Sequence, residues 1–297
     1  MNARMHLVPD LSAAQRQLDA ALGRPISVWT THGAHVSVTR VPASPELRVP
    51  ASDAWIYTPP GYQVHRQARY PVVYLVHGHP GTAADWFTFG RAERVLDELI
   101  RSRTIAPVVA VAPDVNGGRI RDGECLDDIS GGPMIETWLY QRLLPFVDEN
   151  WRTQADPGRR MIVGMSAGGF CALDQGLRHP GIWGGIGALE GYGDPGRRAA
   201  RSMGYDDAGF AAHSPSSYLP TMTFDRRTPV FLGAGARSGR ARAEPLAEAL
   251  RAAGQPVMMR VEPGMGHTWA FARTSLSHAL AYLARELGWM HPRAGAR

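Results

Sequence analysis

The 297-residue sequence contains no lysine, so all 32 of its Lys and Arg side chains are arginines. They are scattered, with no run of five or more. Despite a formal net charge of +5, the pattern therefore offers no stripe to bind a nucleic acid. No apolar run approaches the ~18 residues needed to cross a bilayer. The first 26 residues have neither the apolar core nor the small-residue cleavage site of a secretory leader, and a cytoplasmic protein without a membrane span is expected. Cysteine is nearly absent. Cys125 and Cys171 are too few for a disulfide framework, and a reducing compartment keeps such thiols unpaired, so two buried free thiols are expected ahead of the alternative, a single bridge between them. Metal-ligand spacing is missing as well: His77 and His79 stand two apart with no clustered third ligand and no helical His-x-x-x-His pair. Asp122, Glu124, Asp127 and Asp128 read as a solvated acidic loop that borders either solvent or the substrate entrance, rather than as a cation site.

What is present is an ordinary globular composition, 44% hydrophobic and 20% charged, in a chain long enough for one large α/β domain. Short β-branched runs alternate with amphipathic stretches, the pattern of a mostly parallel sheet covered by helices on both faces. Strands are expected at His35–Val41, Ala54–Thr58, Val72–His77, Val108–Ala112, Met161–Gly164, Gly185–Leu189, Val230–Ala234 and Val257–Val261. Helices are expected at Ala92–Arg101, at Met134–Trp151 with a kink or boundary near Pro145, and around Leu276, Leu280, Leu283 and Leu287, which form one apolar stripe. Residues 1–50 read as an N-terminal extension plus the first strand. Residues 192–227, rich in Gly, Ser, Pro and Asp, read as a short cap-like insertion after the sixth strand.

The strongest motif is Gly164-Met165-Ser166-Ala167-Gly168, between the apolar Met161-Ile162-Val163 and the helical Gly169–Leu177. A serine on a sharp strand-to-helix turn has its hydroxyl raised above the sheet, and the two flanking glycines remove side chains that would collide there. The helix N-terminus beside it favours developing negative charge. Gly-x-Ser-x-Gly alone is a weak signal among 33 glycines; its strand-before, helix-after setting makes it a nucleophile candidate. Upstream, Val73–Gly81 ends a strand in His77-Gly78-His79-Pro80-Gly81. The loop after this strand and the residue after the nucleophile supply the backbone donors of an oxyanion hole in such folds, here His79 and Ala167. His77 reads as a side chain that holds the loop.

The general base should follow the last strand, where Gly264-Met265-Gly266-His267-Thr268-Trp269 places His267. The acid is harder to place, because the usual loop after the penultimate strand, Gly233–Arg240, contains no carboxylate. Glu190, at the end of the strand next to the serine, ranks first. Glu244 ranks second, its bland reading being a helix N-cap ahead of Pro245. Trp86, Phe87, Trp138, Trp183, Tyr192 and Trp269 are open to two readings, pocket lining or core.

Taken together, His77–Gly81 with Asp85-Trp86, Ala112-Pro113-Asp114 with Asn116-Gly117-Gly118, Gly164–Gly169, Arg178-His179-Pro180 and Gly266–Trp269 resemble the esterase family that includes S-formylglutathione hydrolase-like esterases, siderophore and feruloyl esterases and the mycolyltransferases. The likeness runs from about Trp55 to Leu287. It implies an α/β-hydrolase fold and a cofactor-free Ser–His–acid mechanism with Ser166, His267 and the amides of His79 and Ala167. Two departures stand out. Ala167 occupies a position the family usually fills with methionine, which enlarges the pocket, and the family's acid falls near Ser238, whereas Glu190 is gained where a small residue is common.

The expected activity is hydrolysis of a small-molecule carboxylic ester or thioester through an acyl-enzyme. An acyltransferase with an alcohol or amine acceptor uses the same residues, and a non-catalytic binding protein is the reading from another class.

Overall fold

The computed structural model describes residues 26–290 apart from 32, 120 and 121; the first half of the expected N-terminal extension lies outside the described residues. Nine strands form one sheet: β1 (Ile26–Thr31), β2 (Ala34–Val41), β3 (Ser52–Thr58), β4 (Val72–Val76), β5 (Val109–Pro113), β6 (Arg160–Met165), β7 (Gly185–Leu189), β8 (Val230–Gly235) and β9 (Val257–Glu262). Their order is β1-β2-β3-β5-β4-β6-β7-β8-β9. The first three strands and the β3–β5 pair are antiparallel. The rest are parallel. All eight expected strands are present within a residue or two. β1 was not expected: its sequence, Ile-Ser-Val-Trp-Thr-Thr, is half polar, and it exists by pairing with β2 across a register shift.

Strands β4 to β8 are buried along their whole length, as parallel strands between two helix layers must be. Their period of two divides the core. Val73 and Leu75 pack with Leu96 of the helix Ala92–Arg101 and with Leu276, Leu280 and Leu283 of the final helix, Trp269–Glu286. Val72, Tyr74 and Val76 point the other way, onto Trp138, Leu139, Leu143 and Val147.

The helix expected over Met134–Trp151 is helical from Ile135 to Asn150, but residues Leu139–Leu143 adopt the wider π form just ahead of Pro145. Proline has no N–H and its ring collides with the carbonyl four residues back, so widening the turn there relieves both problems without ending the helix. Residues 192–227, expected to be irregular, contain three short helices, Arg197–Ser202, Asp207–Ala212 and Pro215–Tyr218. They are anchored to the body by buried apolar residues, Met203 against Phe170 and Leu219 against Leu173 and Leu177, and by a polar cluster. Arg178 donates to Glu136 (2.9 Å), Asp174 (3.2 Å) and His213 Nδ1 (2.8 Å), while Tyr218 donates to Asp174 (3.1 Å).

Cys125 and Cys171 form a disulfide, with Cα atoms 5.5 Å apart, which corrects the expectation of free thiols. Their separation of 46 residues hides the contact in the sequence: the loop after residue 122 folds back onto the second turn of the helix Ala167–Arg178. Closing a loop of this length restricts the unfolded chain by roughly 2–4 kcal/mol. Cys125→Ser combined with Cys171→Ser should therefore lower the melting temperature, by roughly 2 °C per kcal/mol for a chain of this size. Calorimetry of the variant and of the reduced wild type should agree, and an unchanged melting temperature in both would argue against the bond.

Candidate active site

The strand order reverses around β4, since β5 lies on one side of it and β6 on the other. Ligand sites in open α/β sheets open at the carboxyl ends of strands at such a switch point. Ser166 directly follows β6, and Gly78 and His79 follow β4, with Val76 registered against Gly164. Ser166 has φ 60° and ψ −120°, a conformation costing a non-glycine residue roughly 1–3 kcal/mol. It is held by Ser166 N–H to the Leu189 carbonyl (2.9 Å) and by Phe170 N–H to the Ser166 carbonyl (3.0 Å). A side chain at Gly164 would strike the Gly168 carbonyl, and one at Gly168 would strike the Val76 carbonyl, so the serine turn tolerates glycine alone at both places. The Ala167 amide is among the free N–H groups at the start of the helix.

His77 is buried and spends both ring nitrogens on the loop: Nδ1 donates to the Gly78 carbonyl (2.8 Å) and Nε2 accepts from Val115 N–H (3.1 Å). Asn116 adds a bond to the Gly81 carbonyl (2.8 Å). These contacts set the path of the chain through His79, and they leave His77 unavailable as a ligand.

Ser166 and His267 line one cavity of about 210 Å³ together with Gly78, His79, Pro80, Met165, Thr268 and Trp269. No hydrogen bond joins the two side chains among the described residues; such contacts often tighten only when substrate arrives. His267 is presented by the turn before the final helix, which Thr268 caps by accepting from Phe271 N–H (3.3 Å). Its Nδ1 faces Glu190 Oε2 at 3.3 Å.

Glu190 is 1% exposed and follows β7 with φ 51°. Its other oxygen accepts from the Gly235 amide and from Ser238 Oγ (2.7 Å). The carboxylate thus fills space beside Ser238, in the loop that contains no acid of its own, and a Cβ on Gly239 would come 2.8 Å from it. Burial opposes its charge, but the bonds from His267, Gly235 and Ser238 outweigh that and hold its pKa below the ordinary carboxylate value. Glu244 is not a cap. The helix Arg240–Ala252 starts after Gly239, and Glu244 sits in its second turn, half-buried and bonded to Arg240 (2.6 Å) at the surface. Glu244→Gln should change ester turnover less than about twofold, as exposed pairs carry little energy; steady-state kinetics measures this directly.

The acidic loop is only partly solvated. Glu124 and Asp128 are buried; Asp127 accepts from the Thr137 amide (2.9 Å), and Asp128 pairs with Arg119 and Ser130. Trp86, Phe87, Trp138 and Trp183 are core residues, while Trp269 lines the cavity, edge-on to Trp86. Tyr192 stacks on Phe170 and donates to Glu124. Pro80, Met165 and Thr268 were not singled out from the sequence; their adjacency to His79, Ser166 and His267 is the signal that marks them. Among the described residues one buried trio has metal-ligand spacing, Glu136, Asp174 and His213, but the Arg178 guanidinium already occupies the space between them.

Residues 52–283 match the Putative esterase family. The chain belongs to that family. Similar proteins include an endo-1,4-beta-xylanase/feruloyl esterase of Xylanibacter ruminicola, 27% identical over 238 residues, 76% of this chain and 28% of the relative. The chain spans less than half the length of the curated relatives first matched, 40% and 28%. Two solved structures share the fold. A ferulic acid esterase has TM-score 0.73 at 24% identity, covering 85% of this chain and 98% of the other. The S-formylglutathione hydrolase of Agrobacterium tumefaciens has TM-score 0.73 at 20% identity, covering 89% and 100%. The α/β-hydrolase architecture read from the sequence is the one this esterase family has. No helix among the described residues is long and apolar enough to cross a membrane.

Proposed function

We infer that this member of the esterase family is a serine hydrolase that cleaves a small-molecule carboxylic ester or thioester through an acyl-enzyme on Ser166. The observation that carries this reading is the meeting of Ser166, on its strained strand–helix turn, and His267, backed by the buried Glu190, in one cavity. In the first half-reaction His267 Nε2 takes the serine proton as Oγ attacks the carbonyl carbon. Glu190 holds the Nδ1 proton, fixing the tautomer and stabilising the imidazolium. The oxyanion settles against the amides of His79 and Ala167, each worth roughly 3 kcal/mol to the transition state when preorganised. Collapse expels the alcohol or thiol, protonated by His267; water then attacks the acyl-enzyme by the same steps.

Transfer to an alcohol or amine would use the same residues, and product analysis with candidate acceptors separates it from hydrolysis. In this reading the chain is a single α/β domain with residues 192–227 as a small cap. The cytoplasmic location expected from the N-terminal sequence now rests on that sequence alone, because a bond such as Cys125–Cys171 persists in oxidising compartments and is rare in reducing ones. The test is a series of p-nitrophenyl esters together with a fluorophosphonate probe. Turnover with label on Ser166 supports the assignment; a folded protein that neither turns over any ester nor labels refutes it.

A further inference from the structure

A second, smaller cavity lies beside the first and shares Gly78 and His79 with it. Its remaining walls are His77, Val115, Asn116, Ala167, Gly168 and the segment Asp122–Cys125. It offers about 10 Å³ to the centre of a water-sized group, so a hydroxyl or an ammonium group fits and an aromatic ring does not. We propose that this cavity is a subsite for a small hydrogen-bond-donating substituent on the acyl group, read by the Glu124 carboxyl and opened by the short side chain of Ala167.

Four observations carry it. The first is position. His267 borders the larger cavity and not the smaller one, and the leaving group must stay beside His267 to be protonated, so what enters the smaller cavity belongs to the acyl half. Second, Glu124 is 8% exposed and has no cationic partner among the described residues; its side-chain bonds come from Tyr192 OH, at 2.9 and 2.7 Å. Burial, and behind it the charges of Asp122 and Asp194, push its carboxyl up to about 8, against the bond from Tyr192. Such a carboxyl is largely neutral at pH 7 and keeps acceptor capacity beyond the bond from Tyr192, which an incoming donor can use.

Third, the backbone holds this carboxyl in place by strain. Glu124 and Cys125 are both non-glycine residues in the left-handed region, φ 51° and 55°. The Cys125–Cys171 bond, Glu124 N–H to Asp122 Oδ1 (2.9 Å) and Leu126 N–H to the Gly123 carbonyl (2.8 Å) keep them there. Such strain collects at ligand clamps. Fourth, His79 Nδ1, on the wall between the two cavities, is buried without a partner. That leaves one more polar atom for an incoming donor.

The proposal rests on Ser166 as the acylated residue. The experiment compares p-nitrophenyl butyrate with its 3-hydroxy and 3-amino derivatives, each kcat/KM divided by the ester's hydroxide-catalysed rate. The wild type should favour at least one donor-bearing ester by about tenfold, the effect of one hydrogen bond to a buried or charged group. A preference for the hydroxy ester alone identifies a neutral donor, and one for the amino ester alone a cation. Ala167→Met, which fills the cavity, and Glu124→Ala should each bring the ratio close to one. Because the readout is a ratio, it stands even where a variant is slower. Butyrate turnover with Ser166 labelling but no preference in the wild type overturns the subsite and leaves the hydrolase reading intact, as does a preference that survives both substitutions. No turnover of any ester and no label overturns the hydrolase reading itself.

Discussion

Ser166→Ala is expected to lower kcat for p-nitrophenyl esters by a factor of about 10⁵–10⁶, since removal of the nucleophile in a serine triad costs about as much as removing all three members. The residual rate, roughly 10³–10⁴ above water, should come from binding and from the His79 and Ala167 amides. Fluorophosphonate labelling should vanish with the same substitution. Alanine fits the turn without new contacts and keeps the backbone N–H bond from position 166 to Leu189, so the melting temperature should hold within a few degrees. Retention of more than about 1% of the activity in a well-folded variant would mean that another side chain carries the acyl group, and intact-protein mass spectrometry of trapped intermediates would then locate it.

Glu190→Gln should reduce kcat by about 10⁴, the loss seen when a triad carboxylate becomes an amide and holds the imidazole in the wrong tautomer. The side-chain amide introduced there also has to replace an acceptor that now serves the Gly235 amide, Ser238 and His267 at once. Because Ser238 Oγ lies 2.7 Å from Glu190 Oε1, adding Ser238→Asp to this variant puts a carboxylate back in the same space and should recover part of the lost rate. Failure of the single substitution to lower kcat more than tenfold would remove Glu190 from the mechanism. The pH response follows from its depressed pKa. Burial disfavours its charge, yet the bonds from His267, Gly235 and Ser238 hold the value below that of the unfolded chain, about 4.3. A group of this kind contributes stability that is fully present above the unfolded value and is lost as pH falls through the folded one. Wild type should therefore lose melting temperature below about pH 4 with a component that Glu190→Gln lacks. Parallel curves for the two proteins would show that these bonds carry no linkage.

The acid illustrates how far a linear reading reaches. The absence of a carboxylate from Gly233–Arg240 and the presence of one at Glu190 were both visible, but only the packing of Gly235, Ser238 and Gly239 around Glu190 shows how its carboxylate comes to fill that space: the glycines leave the room and the serine supplies a donor. Glu244 misled because Glu-Pro resembles a helix start, whereas the helix had begun one turn earlier. The acidic loop misled because closely spaced carboxylates suggest solvent, yet Glu124, Asp127 and Asp128 are each taken by a partner outside the loop: Tyr192, Thr137 and Arg119 in turn. Cys125 and Cys171 belong to the same class of error, standing 46 positions apart in the chain.

By itself the sequence determined the alternating α/β architecture, the serine turn and the place of a histidine after the last strand. Each is written in neighbouring residues, as a period of two in strands, a helical stripe, or glycines spaced around a serine, and local sterics enforce them wherever the chain goes. Tertiary structure alone decided that the cysteines bond, that Glu190 reaches His267, that Glu124 is buried beside Ala167 and that Arg178 fills the one metal-like cluster among the described residues. Those outcomes depend on contacts between segments tens of residues apart, whose energies exist only after the sheet has set their distances, and no local pattern encodes a distance of that kind.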